Sequence, residues 1–361
     1  MPVELFGTLA QTLFKTMDRT GSTVDVPDLM ERWTLDAIGK AGFGFDFHAL
    51  EEPNNKWVMM YNSIMAGHED RFYDYLPFLE QRFLWLFPGR RKLHQKLTEF
   101  LAMLDDIIVH KREALEKRIP NPHLQENEKD LLTLMIESEL NGEGAMSNEE
   151  LKSNLCVFFV AGHDTTANAL SFAIYYLAAN QDVQRKAREE VTRILGDEPV
   201  DVLPTVEQIK NMDYLNMVIK ETLRLNSPAG EIFPRVVTQD TELAGTLLPK
   251  DTWVLLDIYN LHRNSRLWQN PDKFDPERFA PGNEAERKAG SGMYWIPFSS
   301  GARQCIGMNF SLAEQRVLLS MLLRKFTWTL PENSIHADEL LSTNRPLQGP
   351  FDLEITFKKR Y

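Results

Sequence analysis

The 361 residues are 43% hydrophobic and 25% charged, an ordinary composition for a globular fold long enough to bury a sizeable core. Forty basic residues against fifty-two acidic ones leave a formal net charge of −12, which argues against nucleic acid as a partner, since phosphate binding needs a surplus of Lys and Arg. With only two cysteines, Cys156 and Cys305, a disulfide framework and a four-ligand zinc site are both excluded, and a reducing compartment is the natural setting.

No secretory signal or membrane span is legible: the purest apolar run, Leu155 to Gly162, is too short and ends at His163-Asp164. Asp28 to Ala41 has helical periodicity and stops at Gly42-Phe43-Gly44. An aromatic stretch follows, Phe72-Tyr73-Asp74-Tyr75-Leu76-Pro77-Phe78 and Phe83-Leu84-Trp85-Leu86-Phe87-Pro88, flanked by Arg90-Arg91-Lys92; core packing accounts for it at least as well as a surface role. Leu93 to Arg118 is an amphipathic helix closed by Pro120 and Pro122, and Asn121 to Asp130 is a polar linker.

Ser147-Asn148-Glu149-Glu150 is a capping box that opens a helix running to about Ala179, roughly 50 Å long at 1.5 Å per residue. A helix of that length, apolar on most sides near Leu155 to Val160, must cross the middle of the fold. Within it Cys156 reads as a small buried hydrophobe. Ala161-Gly162-His163-Asp164-Thr165-Thr166 is different, because Gly and paired Thr are poor helix formers. A Thr165 hydroxyl bonded to the Ala161 carbonyl would bulge the helix; a functional opening and a kinked core helix with a solvated Asp account for this equally.

Further helices span Asp182 to Leu195 and Met212 to Leu225, the latter with Glu221 and Arg224 at i, i+3, a spacing usual for surface ion pairs. Short strands are expected only after about Ile232, in Pro234 to Asp257, followed by an irregular meander from Ser265 to Met293. The last helix, Met308 to Phe326, is preceded by Phe298-Ser299-Ser300-Gly301-Ala302-Arg303-Gln304-Cys305-Ile306-Gly307. That loop sets Cys305 just before a helix N-terminus, where dipole and free N–H groups favour a thiolate. Gly301 and Gly307 allow close backbone approach, Arg303 can pair with a carboxylate, and Phe298 can keep water from the sulfur. Taken alone, a Gly-rich turn with an incidental cysteine remains open.

Phe298-x-x-Gly301-x-Arg303-x-Cys305-x-Gly307 closely resembles the haem-binding loop of the cytochrome P-450 family of haem-thiolate monooxygenases. Ala161 to Thr166 resembles that family's oxygen-activation motif. Glu221-x-x-Arg224 with Phe274-Asp275-Pro276-Glu277-Arg278-Phe279 resembles its Glu-Arg-Arg network, and all four signatures stand in the family's order. The wording is most like eukaryotic microsomal members. The resemblance implies a mainly α fold with small β-sheets, a single catalytic domain over 1–361. It implies haem b with the Cys305 thiolate as axial ligand, which favours O–O cleavage.

By the same resemblance Asp164 is a proton relay, Thr165 hydrogen-bonds the oxygen ligand, and Glu221, Arg224 and Arg278 brace the cysteine loop. Arg235 is implied as a propionate ligand, although a solvent-facing strand arginine is equally consistent. The implied substrate pocket comprises Phe158, Phe159, Ala161, Thr165, Thr166, Ala229, Gly230, Ile232 and Leu347, mainly apolar and suited to a hydrophobic substrate. Implied partners are O2 and an NADPH-dependent flavoprotein reductase, at the cytosolic face of the endoplasmic reticulum membrane for a full-length form. The anchor, the first helices and part of the N-terminal sheet of the family pattern are not matched, so an N-terminally truncated member is expected. A catalytically silent haem-binding remnant and a haem-thiolate isomerase or lyase are the alternatives; the Asp164-Thr165 pair argues against the latter.

Overall fold

The computed structural model describes residues 1–68, 72–117, 119, 121–125, 128–142, 146–288, 293–343 and 347–361. In chain order the helices are α1 (Val3–Thr20), α2 (Val26–Ile38), α3 (Lys56–His68), α4 (Phe72–Tyr75), α5 (Pro77–Phe83), α6 (Pro88–Glu116) and α7 (Leu131–Leu140). They continue with α8 (Asn148–Ala179), α9 (Gln181–Leu195), α10 (Val206–Lys210), α11 (Asp213–Leu225), α12 (Ile258–His262), α13 (Glu284–Lys288) and α14 (Met308–Lys325). The strands are β1 (Thr23–Asp25), β2 (Glu231–Val236), β3 (Thr241–Leu243), β4 (Thr246–Leu248), β5 (Trp253–Asp257), β6 (Phe326–Thr329) and β7 (Glu354–Lys359). Mainly helical architecture with small antiparallel sheets is what the sequence led us to expect.

Local chemistry sets the helix ends. The Asp25 carboxylate caps α2 by accepting the Asp28 N–H at 3.1 Å, with Pro27 in the first turn. The capping box of α8 forms as expected: the Ser147 N–H donates to Glu150 at 2.8 Å and the Glu150 N–H to Ser147 Oγ at 3.3 Å. The helix over 93–118 begins earlier, at Pro88, because proline suits a first turn; Arg118 and Pro120 lie outside the described residues. α1 was not anticipated.

Strands were expected only after about Ile232, yet β1 pairs with β7, Val24 opposite Ile355, and β7 pairs with β6, Trp328 opposite Phe357. β2 and β5 form a second antiparallel ladder, with its register broken between Ile232 and Arg235, where Pro234 has no N–H to give. β3 and β4 make a hairpin.

α8 runs through two apolar cores. Its first half (Leu151, Leu155, Phe159) packs with α3, α6, α7 and the π-helical turn Gly39–Phe43 that follows α2. Its second half (Ala167, Leu170, Ala173, Ile174, Leu177) packs with α1, α2, α9, α11 and α14. Each large side chain so buried contributes about 1.5–3 kcal/mol. Residues 160–166, the segment poor in helix formers, fall between the two cores.

Candidate functional site

Cys305 is exposed on the loop before α14. Its N–H donates to the Phe298 carbonyl at 2.9 Å, closing the loop on itself, and Phe298 packs against the larger core. Ser299 and Gly301 both hold left-handed backbone, φ 61° and 73°; glycine does so without strain. A side chain at Gly307 would begin 3.8 Å from the Cys305 sulfur, so its absence leaves one flank of the thiol open. Arg303 and Arg235 are both exposed.

On α8 the Thr165 hydroxyl donates to the Ala161 carbonyl at 2.6 Å, as foreseen, but the helix continues unbroken through this bond. The two threonines part company. Thr165 is partly exposed, whereas Thr166 is buried and donates to or accepts from Ser311 at 2.9 Å. Thr166 therefore does not line an open pocket; it clamps α8 to α14 six residues beyond Cys305. Gln315 adds its amide to Ser311 at 3.1 Å, and burial pushes the neighbouring Glu314 carboxyl well above the usual range.

Phe159 likewise belongs to the core rather than a pocket. It is 1% exposed among Phe43, Phe47, Tyr61 and Phe100. Phe158 packs beside that core, half-buried, and Ala161 is exposed. Gly230 is buried: its carbonyl accepts the Ile258 and Tyr259 N–H groups, and a side chain there would meet Gln348 at 3.2 Å. Ala229 and Leu347 are brought together in an antiparallel bridge, and Ile232 is half-buried on β2.

Asp164 turns toward protein. Tyr61 of α3 donates to its Oδ2 at 2.8 Å, and His163 Nδ1 lies 2.8 Å from its Oδ1. Tyr61 lies about a hundred residues upstream, and nothing in its sequence neighbourhood marks it.

Glu221, Arg224 and Arg278 form one buried ionic network, not a surface pair. Glu221 accepts from Arg224 Nε at 2.7 Å, Arg278 Nε at 3.1 Å and the Asp275 N–H at 2.9 Å. Burial raises the carboxyl pKa, and the two guanidiniums and the N–H oppose it. Arg224 also donates to the carbonyls of His262 and Pro271, both at 2.7 Å, and Arg278 to that of Asn270 at 2.8 Å and to Glu284 at 2.7 Å.

His262 extends this network to the cysteine loop, because its Nε2 accepts the Ile296 N–H at 2.9 Å. Burial and the Arg224 charge push its pKa down from 6.5 to about 4, so it stays a neutral acceptor. An imidazole depressed on folding stabilises the fold above its unfolded value of 6.5, and that contribution fades as the pH falls toward 4. Unfolding free energies from urea titrations between pH 7 and pH 4.5 should fall by roughly 2–3 kcal/mol through this group, and His262→Gln should flatten that limb. An unchanged slope in the variant would assign the acid sensitivity elsewhere.

Among the described residues no cluster of three or more His, Cys, Asp or Glu could hold a bare metal ion. A single exposed thiol on a glycine-flanked loop fits instead a metal whose remaining positions are filled by a macrocycle. Haem b is such a group.

A sequence profile described as Cytochrome P450 matches residues 3–348, and the chain belongs to the cytochrome P450 family. It is 32% identical to Cytochrome P450 3A12 of Canis lupus familiaris over 323 residues, covering 85% of this chain and 59% of that protein. Cytochrome P450 4F8 of Homo sapiens is 32% identical over 315 residues, with the same coverage. The chain thus spans about three-fifths of the length of the curated relatives it matches. The crystal structure of the cytochrome P450DA heme domain superposes with a TM-score of 0.83 at 26% identity, over 99% of this chain and 73% of that one. The fold is that of P450 haem domains, and the family's cofactor is haem b on a cysteine thiolate. No helix among the described residues is long and apolar enough to cross a membrane.

Proposed function

We propose that residues 1–361 act as one haem-thiolate monooxygenase domain that inserts one oxygen atom from O2 into a hydrophobic substrate, with Cys305 as the axial ligand. The observation that carries this is the Thr166–Ser311 hydrogen bond, which ties the Asp164-Thr165 turn of α8 directly to the helix Cys305 introduces. Haem b bound at Cys305 supplies dioxygen activation. Arg303 and Arg235, exposed and cationic, would pair with its propionates, while Phe298, Gly301 and Gly307 shape the loop beneath it.

Asp164 relays a proton toward the turn, and the Thr165 hydroxyl passes it on after leaving the Ala161 carbonyl. Ala161, Phe158, Ile232, Ala229 and Leu347 form the apolar wall toward substrate. Electrons would come from NADPH through a flavoprotein reductase at the endoplasmic reticulum membrane. Support for membrane contact comes from the aromatic stretch, which is surface and not core: Tyr75 is 77% exposed and Trp85 69%.

The test is spectroscopic. The chain loaded with haem, reduced and exposed to carbon monoxide should show the red-shifted Soret band of thiolate ligation. A folded preparation without that band would overturn the reading. Thr165→Ala is expected to keep the band and NADPH consumption while diverting most reducing equivalents to hydrogen peroxide. Product and peroxide measured against NADPH check this, and unchanged coupling would remove Thr165 from the proton path.

A further inference from the structure

Each Asp164 oxygen has a close polar neighbour in this structure, Tyr61 by a hydrogen bond and His163 by an ion-pair approach, and neither has a role in the scheme above. Tyr61 holds Oδ2 and His163 faces Oδ1, each at 2.8 Å. Both come from a buried setting: His163 is 2% exposed and Tyr61 5%. The two rings also meet edge to face, with centroids 5.0 Å apart. Three elements converge on this point. α8 supplies His163 and Asp164, α3 supplies Tyr61, and α2 brings the Glu31 carboxylate and backbone against the imidazole.

A buried imidazole next to a carboxylate, with no solvent shell of its own, is a place to keep a proton. We propose that His163 is a positioning residue and proton store for Asp164: one proton is shared between His163 Nδ1 and Asp164 Oδ1, and Tyr61 fixes the carboxylate by its other oxygen. The step moves a proton only. The Nδ1–H bond breaks, an Oδ1–H bond forms, and neutral imidazole and neutral carboxylic acid result. The acid is then the species that can give a proton toward Thr165, and a proton taken up from bulk solvent through Asp164, whose side chain is 16% exposed, restores the one lost.

The electrostatics agree in direction. Burial disfavours the imidazolium, but the Asp164 carboxylate, then the Glu31 carboxylate and backbone, together outweigh it and raise the His163 pKa above 6.5. Glu31 is itself raised by burial. Tyr61 is pushed up by burial and by Asp164, so it remains a phenol that donates and never competes as an anion. Asp28 and Asp25 at the start of α2 act on Glu31, whose carboxyl they raise further.

This inference rests on the reading of Asp164 as the proton-delivering acid, and its test is read without turnover. The full chain carries eight histidines, few enough to resolve with ring-labelled histidine by NMR. The measurement is made on the protein as purified and on the diamagnetic reduced carbon monoxide form, with His163→Gln identifying the signal. We expect His163 to be an imidazolium at pH 7. Asp164→Asn should lower its proton affinity by at least about tenfold, one pH unit. Tyr61→Phe should shift it by less, because the carboxylate remains. A neutral His163 at pH 7 in the parent chain, or a titration indifferent to Asp164→Asn, overturns the proposal. If the thiolate band is missing while His163 titrates as expected, the oxygenase reading fails and the proton pair stands; the reverse outcome fails only the pair.

Discussion

Glu221→Ala is expected to destabilise the fold by about 3–5 kcal/mol, the cost of stripping one partner from a buried ionic pair. Removing the carboxylate strips Arg224, at 1% exposure, of its carboxylate partner and leaves Arg278, at 6%, with Glu284 alone. Arg224 cannot retreat to water, because Trp268 stacks against it at 5.2 Å and its other nitrogens are committed to the His262 and Pro271 carbonyls. The damage should also travel. Those carbonyls lie at the end of α12 and just beyond it; His262 there accepts from Ile296, whose neighbour Trp295 donates to the Lys220 carbonyl of α11 at 3.1 Å. Loosening them frees the segment that leads into Phe298 and Cys305, so haem retention should fall along with the urea midpoint. Glu221→Gln, which keeps shape and acceptor but not charge, should lie between the two. A loss below about 1 kcal/mol for Glu221→Ala would place the network among pairs of little consequence.

That network shows where the sequence was legible and where it was not. Helices with a continuous apolar face, α9, α11 and α14, start and stop within a residue or so of their expected ends, because periodicity and flanking caps are local properties. The motif order identified the family for the same reason: each signature is a short run of residues. Burial is not local. Glu221 and Arg224 at i, i+3 look like a surface pair because the carbonyls that bury them come from 262 to 273, a stretch with no pattern of its own. β1 is three residues long and exists only because β7 lies some 330 residues away, so no window around Thr23 could show it.

Within the site the difficulty was one of rotation. Adjacent helical residues point about 100° apart, so Thr165 and Thr166, or Phe158 and Phe159, divide between an open side and a packed side. Only contacts decide which is which: Ser311 claims Thr166, and the Phe43, Phe47 and Phe100 rings claim Phe159. A run of letters marks the motif without its facing. The same holds for Asp164, whose partner on α3 has no sequence signal beyond being a tyrosine.

Cys305→Ala is expected to abolish the red-shifted carbon monoxide band completely, the largest single effect available in this chain. The alternative source of a thiolate, Cys156, sits half-buried beside the smaller core, where burial raises its pKa and holds it as a thiol. It therefore cannot substitute, and a residual thiolate band in the variant would mean that the loop is not the haem site. The fold should survive the change, because Cys305 is exposed and the loop is closed by its backbone N–H, which alanine retains. Cys305→His separates ligation from loop shape. An imidazole on the same backbone should still bind haem but yield the shorter-wavelength band of a nitrogen ligand, since it lacks the electron push of sulfur. Loss of all haem in Cys305→His together with an unaltered urea midpoint would show that the cradle around Gly301 and Gly307 accepts only the small sulfur side chain.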